Sequence, residues 1–194
     1  MRFLIFILTL TFVTSTWAEP NALFAYVTLK TSMGNIQLKL YKKEASRTVE
    51  NFMGLASGSK SYRDVKTGKK AINKSFYQDM VFHKIHPELG IQTGCPWGNG
   101  KGWPGFTIKQ EKNDLKFDRP YLVAMSRTIQ DPNSVGSQFF ITTAAAPHLN
   151  ENYTVMGEVV FGQDVVRKIS MQKRDAMMKP LKPIKLMEVN IDSE

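Results

Sequence analysis

The sequence predicts an all-β protein, a sandwich or a barrel, with two helices added to it. Short apolar runs separated by glycine and proline occupy residues 80–160, a pattern typical of many short strands. Alternation of apolar and polar residues adds strands near both ends of the chain, and only two segments have helical spacing. With 194 residues, 42% of them hydrophobic, the chain is the size of one ordinary domain, so we expect one.

The first element is predicted to be a β-hairpin. From residue 26 to 31, and again from 36 to 41, apolar side chains such as Leu29 and Leu38 alternate with polar ones. The Ser32–Asn35 segment between them contains the Gly-Asn pair of a turn. The pattern predicts two antiparallel strands with one buried face.

Two helices and a closing strand are predicted from the remaining periodicity. Apolar residues recur every three or four positions in residues 44–57, and Gly58 provides a helix stop. The lysine-rich segment 58–75 has no periodicity and is predicted to be an exposed loop. A second helix is predicted to begin at Gln163–Asp164. The final segment 184–192 alternates again, so we expect it to complete the sheet.

The first eighteen residues have the layout of a cleavable secretory signal. Arg2 supplies one positive charge, an apolar run extends from residue 3 to about 13, and small or polar residues lead to Ala18. A membrane anchor is the alternative, but the run is shorter than the ~20 residues that a bilayer span requires. We therefore predict a leader at residues 1–18 and an exported domain at residues 19–194, in a periplasm or outside the cell.

The chain is basic, with a formal net charge of +9. A basic balance can indicate a nucleic-acid partner. Here the lysines are dispersed without a long basic run, and export separates the protein from nucleic acid, so we expect no such partner. The only cysteine, Cys95, has no second cysteine with which to form an intramolecular disulfide.

Two of the three histidines, His83 and His86, lie in the segment "FHKIHPELGIQTG", residues 82–94. Their His-x-x-His spacing raises the alternative of a metal site. However, Pro87 and the β-favouring flanks indicate a strand, on which residues three apart face opposite sides. His148 lies far along the chain with no cysteine or carboxylate in ligand spacing. We therefore expect no metal site.

The second interpretation of the same segment is a wall of a groove that holds another polypeptide. On a strand, Lys84 and His86 share a face, and Gln92 lies near the end of the same passage. Farther along, Gln138 and Phe140 also face one way. The residues alone thus indicate a surface with one cation and several amide donors.

Taken together, these pieces resemble the cyclophilins, which are peptidyl-prolyl cis-trans isomerases. The matching pieces occur in family order and span most of residues 24–193. The run that begins at Cys95 resembles the bacterial branch. The pieces are "ENFMGLASG" (50–58), "FHKIHP" (82–87), "IQTGCPWGNGKGWPGF" (91–106), "LVAMS" (122–126), "GSQFFIT" (136–142) and "VMGEVVFGQDVV" (155–166).

The resemblance implies a closed antiparallel eight-stranded barrel capped by two α-helices, a fold that leaves no exposed sheet edge. It also implies isomerase activity on proline-containing unfolded or flexible polypeptides, with no cofactor and no metal. Together with the predicted leader, this describes an enzyme that assists the folding of exported proteins. We expect it to be a monomer.

The resemblance also implies the residues of the site. Lys84, Gln92 and Phe140 would be catalytic, with Phe140 as the floor of a socket for the proline ring. The positions that would bind the peptide or line the socket are Leu89, Met125, Ser126, Arg127, Gln138, His148, Leu149 and Tyr153. For the apolar members, and for Met125 above all, an ordinary core position is the alternative.

Several of these positions depart from the family pattern. Lys84 stands where the family carries its catalytic arginine, and lysine keeps the charge but loses the planar fork of donors. Leu89 stands where an aromatic residue is usual, Gly90 where a methionine is usual, His148 where a tryptophan is frequent and Tyr153 where a histidine is common. We expect weakened catalysis and a more open pocket. A second hypothesis is therefore a binding module or chaperone for proline-containing segments, with vestigial catalysis.

Overall fold

The computed structural model describes residues 23–65, 67–128 and 130–192, and the predicted leader lies outside them. The described residues form two α-helices, α1 (Ser46–Ser57) and α2 (Gln163–Ser170), and a 3-10 turn at Pro147–Leu149. Their strands are β1 (Phe24–Thr31), β2 (Gly34–Tyr41), β3 (Tyr62–Arg63), β4 (Lys70–Ala71), β5 (Met80–Val81), β6 (Lys84–His86), β7 (Gly90–Thr93), β8 (Leu122–Met125), β9 (Phe139–Thr142), β10 (Val155–Phe161) and β11 (Lys185–Ile191).

One curled antiparallel sheet dominates the fold. Within the described ranges it has nine strands in the order β5-β11-β1-β2-β10-β8-β9-β7-β6. Its two outer strands, β5 and β6, follow each other in the chain, separated only by Phe82 and His83. The predicted mostly-β architecture with two helices is thus confirmed. Closure into an eight-stranded barrel is not confirmed and stays a prediction, because no ladder joins β5 to β6 in the part of the chain that is described.

The amino-terminal hairpin has the predicted alternation. β1 and β2 pair in continuous register from Phe24 with Tyr41 to Thr31 with Gly34, around a two-residue turn. The inward side chains, among them Leu29 and Leu38, are fully buried. Since successive residues of a strand point to opposite faces, the polar partners remain at the outer surface. The hairpin then supplies the centre of the sheet by pairing with β11 on one side and β10 on the other.

The first helix begins two residues later than predicted and is capped by a distant carboxylate. No side chain caps it from the Ala45 position. Instead, Glu111 accepts hydrogen bonds from the backbone N–H of Thr48 at 2.9 Å and from its hydroxyl at 2.8 Å. Burial alone would raise the pKa of Glu111, but the hydrogen bonds from Thr48, Arg47 and Ser46 hold it below the ordinary value. The contact fastens α1 to a loop that the sequence pattern did not connect with it.

The helix ends at Gly58, as the sequence predicts. Gly58 has a φ of 82°, and a Cβ at this position would collide with the backbone of Lys74. The following segment 58–75 is largely exposed, as expected, but it contains the short β3–β4 ladder. Tyr62 on β3 is buried against Phe76, with ring centroids 4.8 Å apart. The segment is therefore more ordered than its polar composition indicated.

The core under α1 is aromatic and anchors the start of β9. Phe52 contacts the rings of Tyr77 and Phe139 at centroid distances of 5.1 and 5.2 Å. The Tyr77 hydroxyl donates to the Ser137 carbonyl at 2.8 Å, and the Asn51 amide donates to Gly136 at the same distance. These bonds fix the backbone immediately before Gln138 and Phe140, two of the predicted site residues.

The carboxy-terminal elements also match the predictions. Helix α2 begins at Gln163 and buries Val166 and Ile169. Strand β11 pairs with β1 and with β5, so it extends the sheet beyond the hairpin. None of the helices formed by the described residues is long and apolar enough to span a bilayer.

Candidate active site

A small cavity of about 160 Å³ lies where β6, β7 and β9 meet the 3-10 turn. It gathers eight of the eleven residues that the sequence pointed to. These are Lys84, Leu89, Gln92, Ser126, Phe140, His148, Leu149 and Tyr153. The rest of its lining comes from His86, Gly90, Ile91 and Met178. We refer to this space as the small cavity.

Phe140 is the apolar wall of the small cavity, and other rings hold it in place. It stacks on Phe117 with an interplanar angle of 19° and a centroid distance of 6.1 Å. Tyr153 meets it edge to face at 5.3 Å. Phe117 is fully buried, whereas Phe140 is only partly buried, so one face of the Phe140 ring is available to a ligand. Aromatic pairs of this kind contribute on the order of 1 kcal/mol beyond the buried area.

Lys84 belongs to the polar part of the small cavity, two strands away from Phe140. In the β6–β7 ladder it is paired with Gln92, so its side chain emerges beside that amide. Lys84 is exposed and shares the cavity lining with His86, as the strand alternation predicted. It forms no ion pair or hydrogen bond with the residues in the described ranges. Its ammonium group is therefore available to a ligand, but no neighbour fixes its position.

Two glutamine amides form the polar network beside Lys84. In the assigned orientation, Nε2 of Gln92 donates to the Ser126 hydroxyl at 3.1 Å and to Oε1 of Gln138 at 3.0 Å. Nε2 of Gln138 donates to the carbonyls of Gly100 and Gly102, both at 2.9 Å. Because no described residue donates to Oε1 of Gln92, this oxygen can accept a peptide N–H. Gln138 is engaged on both sides, and its contacts position Gln92 and the 95–106 loop.

A close backbone approach sets the spacing of this network. Gly94 ends β7 with a φ of 83°, and a Cβ there would overlap the carbonyl oxygen of Ser137. The Ser137 hydroxyl in turn donates to the Gly94 carbonyl at 2.8 Å. A side chain at position 94 would push β7 away from the residues that precede β9. The glycine therefore keeps Gln92 within hydrogen-bonding reach of Gln138.

His83 occupies the face of the chain opposite Lys84. It is 7% exposed, and neither ring nitrogen has a hydrogen-bond partner of good geometry among the described residues. Burial lowers the pKa of His83 to about 4, and the charge of Lys84 adds to that effect. The Gln138 amide and the Val81 carbonyl oppose the shift without aligning with the ring. The ring is therefore neutral at physiological pH, and it shares no metal-binding face with His86.

Three of the predicted residues lie outside the small cavity. Arg127 and Gln138 line a second depression of about 880 Å³, which we call the adjoining groove. Met125 lines neither space and is only 2% exposed, so the structure assigns it to the hydrophobic core. This burial favours the alternative of an ordinary core position for Met125, because its strand β8 is buried along its whole length.

Residues from the loop between α2 and β11 contribute to the site without a signal in the sequence. Met178 lines both the small cavity and the adjoining groove, and Met177 lines the groove. The loop is held there by a hydrogen bond of 2.8 Å from the Ile85 N–H to the Met178 carbonyl. Trp103 and Lys101, from the glycine-rich 95–106 loop, complete the groove rim. Only the tertiary fold brings these two loops together.

A further depression, similar in size to the adjoining groove, lies elsewhere. It measures about 970 Å³ and runs beside α1, between Leu23, Lys60 and Ile191, and it contains none of the predicted site residues. Size alone therefore does not identify the site. Among the described residues there is no group of three or more His, Cys, Asp or Glu side chains that could hold a metal ion.

The comparisons with known proteins agree with this geometry. Residues 26–191 match the family model described as cyclophilin type peptidyl-prolyl cis-trans isomerase/CLD. The peptidyl-prolyl cis-trans isomerase A of Mycobacterium tuberculosis is 39% identical over 170 residues, covering 86% of this chain and 92% of the relative. Isomerase B of Streptomyces anulatus is 39% identical over 135 residues, or 69% of this chain and 75% of the relative.

Solved structures give the same result. A cyclophilin type peptidyl-prolyl cis-trans isomerase of Cryptosporidium parvum superimposes with a TM-score of 0.76 at 27% identity, over 88% of this chain and 99% of that one. A second crystal structure of that protein, in the presence of the dipeptide Ala-Pro, gives a TM-score of 0.74 at 28% identity, over 87% of this chain and 99% of that one. This chain belongs to the cyclophilin-type peptidyl-prolyl cis-trans isomerase family. It is an enzyme that interconverts the cis and trans forms of X-Pro peptide bonds.

Proposed function

We propose that this isomerase assists the folding of exported proteins, holding proline in the small cavity between Phe140 and Lys84. The observation that carries the proposal is that the lining of one small cavity contains an aromatic side chain, an exposed cation and an amide. Lys84, Gln92 and Phe140 lie side by side on three neighbouring strands. The proline ring would lie on Phe140. Lys84 and Gln92 would contact the peptide bond and the backbone next to it.

The reaction makes modest chemical demands, which these residues can meet. An X-Pro bond isomerises over tens to hundreds of seconds because rotation must overcome a barrier of about 18–20 kcal/mol. No bond is broken, so neither a nucleophile nor a cofactor takes part. Catalysis requires stronger binding of the twisted amide than of either planar form. In the twisted form the prolyl nitrogen loses its resonance and becomes able to accept a hydrogen bond.

The apolar wall supports the binding half of this mechanism. Phe140 is buttressed by Phe117 and Tyr153, so the surface that meets the proline ring is ordered before the substrate arrives. Leu149 and Leu89 border the same space. Leu89 is 45% exposed, which supports a socket that is open at this edge. Proline would enter readily and be held loosely.

The polar wall would supply the differential stabilisation. A positive charge beside the twisting amide favours the electron pair that localises on nitrogen, and preorganised donors of this kind dominate many enzymatic rate enhancements. Gln92 would accept the N–H of a neighbouring residue through its free Oε1, which fixes the peptide relative to Lys84. Gln138 acts through Gln92 as a positioning residue.

With lysine at position 84, the enzyme should catalyse isomerisation more slowly than it would with arginine. Its ammonium is strongly hydrated and sits on a flexible stem, whereas arginine presents a rigid fork of donors. If Lys84 forfeits one well-placed charge-assisted hydrogen bond, about 2–3 kcal/mol of transition-state stabilisation is lost, or roughly 30- to 150-fold in rate. The absence of a fixing partner for Lys84 among the described residues also favours a second candidate, a chaperone-like binding module with little turnover.

Export is proposed from the sequence of residues 1–18, which has the charge, apolar run and small residues of a cleavable signal. The substrates would then be proline-containing segments of envelope or secreted proteins. Fractionation of the native cells and amino-terminal sequencing test this part. A mature protein that begins at Glu19 in an exported fraction would support it, and an intact chain in the cytoplasm would overturn it.

The activity itself is tested by following the cis-to-trans rate of an Ala-Pro model peptide. Protein produced from residue 19 retains every described helix and strand, because β1 begins at Phe24. We expect acceleration in proportion to the enzyme concentration. Binding of the same peptide without any acceleration would reject the catalytic role of Lys84 and leave the binding module.

A further inference from the structure

The adjoining groove continues the small cavity and differs from it in charge. Five residues line both spaces, so a polypeptide that leaves the small cavity enters the groove directly. They are Lys84, Gln92, Ser126, Tyr153 and Met178. The groove adds the cations Lys101 and Arg127. No aspartate or glutamate occurs among the described residues that line either space.

The two added cations are placed differently. The Arg127 guanidinium donates to the carbonyl of Asn152 at 2.5 Å and to that of Thr128 at 2.8 Å. It also lies over the Tyr153 ring at 5.3 Å. Lys101 is exposed and has no carboxylate within ion-pair distance in the described ranges. Of the two added cations, Arg127 is therefore oriented by its hydrogen bonds, whereas Lys101 is not fixed by an ion pair with a described residue.

Two acidic residues, Asp131 and Asp175, belong to loops that supply lining residues of the groove, and their carboxylates are used within those loops. Asp131 accepts the backbone N–H of Asn133 at 2.8 Å. Asp175 accepts the N–H groups of Met177 and Lys179, both at 2.9 Å. Both carboxylates stabilise turns and do not line the groove. The charged side chains that line the groove are therefore lysine and arginine, which favours an acidic ligand.

The apolar rim of the groove favours a polypeptide over a small free anion. Trp103 is 49% exposed and Met177 is 83% exposed, and both line the same space as Lys101. A peptide could cover these side chains while it places a carboxylate between the cations. An inorganic anion would leave them in water. Charge and apolar surface together thus indicate one class of occupant.

We propose that the adjoining groove selects clients that carry an aspartate or glutamate close to the proline. The inference deepens the proposed function and rests on it, because the client's proline must occupy the small cavity. An extended peptide advances about 3.3 Å per residue, so an acidic side chain two residues from the proline would reach the groove. Exposed ion pairs contribute up to about fivefold in affinity each and weaken as salt increases.

The test uses hexapeptides with one Ala-Pro bond and with Glu, Gln or Lys two residues before or after the proline. Both kcat/KM and the dissociation constant are measured for each peptide, at low salt and at about 0.5 M salt. Two variants carry the same change of charge. Lys101→Glu alters the groove, and Lys69→Glu is the matched control in an exposed loop outside both spaces.

We expect the Glu peptide of at least one series to exceed the Lys peptide by about fivefold or more in kcat/KM at low salt. The ratio should shrink at high salt, fall to one or invert in Lys101→Glu, and persist in Lys69→Glu. Equal values for the three peptides, or an unchanged ratio in Lys101→Glu, would overturn the inference while leaving the isomerase function intact. If no peptide is isomerised, the dissociation constants still decide the charge preference, and no binding at all would reject both proposals.

Discussion

The two walls of the small cavity differ in how firmly the fold holds them. Phe140 is fixed by two further rings and by a backbone that Ser137, Gly94 and Tyr77 tie in place. Lys84 lies on a three-residue strand at the end of the sheet and forms no ion pair with any residue that the structure describes. The difference teaches that substrate binding is preorganised here, whereas the group that would act on the amide is not. Affinity and turnover should therefore respond to different mutations.

The largest effect is expected from Phe140→Ala, which tests the aromatic surface of the small cavity. Removing the ring deletes the surface on which proline would rest and also unpairs Phe117 and Tyr153. We expect kcat/KM to fall by roughly 150-fold, equivalent to about 3 kcal/mol, with binding of the peptide weakened as well. Phe161→Ala is the matched control, because Phe161 is 64% exposed and lies outside the cavity. Comparable losses in both variants would show that the effect is not specific to the site.

The role of Lys84 is tested by the variant Lys84→Arg, which should increase turnover. A guanidinium presents more donors in a rigid plane and stays charged, so we expect kcat to increase by roughly 30-fold, or about 2 kcal/mol, with little change in peptide affinity. Stopped-flow isomerisation and calorimetry separate the two quantities. Unchanged turnover in this variant would show that the open apolar socket, and not Lys84, limits the rate of isomerisation.

His83, the buried neighbour of Lys84, should make the stability of the fold depend on pH. The pKa of His83 is about 4 in the folded chain and 6.5 in the ordinary state, so the unfolded chain binds more protons between these values. Stability should therefore fall as the pH is lowered through 6.5, by about 2 kcal/mol between pH 7 and pH 5, and the loss should level off below about pH 4.

Denaturant unfolding at several pH values measures this loss, and NMR titration of the His83 ring checks its origin. Glu111 contributes in the same direction at lower pH, because its folded pKa is depressed and its stabilisation is lost as it becomes protonated. The interval from pH 7 to pH 5 therefore isolates the histidine. A His83 ring that titrates near pH 6.5 in the folded protein would contradict the prediction.

Local sequence patterns predicted most of the helices and strands. The hairpin, the stop of α1 at Gly58, the start of α2 at Gln163 and the last strand all follow from periodicity of two or about 3.6 residues and from turn chemistry. The alternation of β6 also placed Lys84 and His86 on one face and His83 on the other. Periodicity reports which side of an element is buried, and that information is contained within a few neighbouring residues.

The sequence by itself determined the family, the class of reaction and eight of the residues around the small cavity, because these depend on residue types in a fixed order. Tertiary structure alone decided that Met125 belongs to the core and that Met178 and Trp103 border the groove. It also decided that Glu111 caps α1 across more than sixty residues of chain. Such contacts join segments that are distant in sequence, and the packing of the whole sheet sets which segments meet.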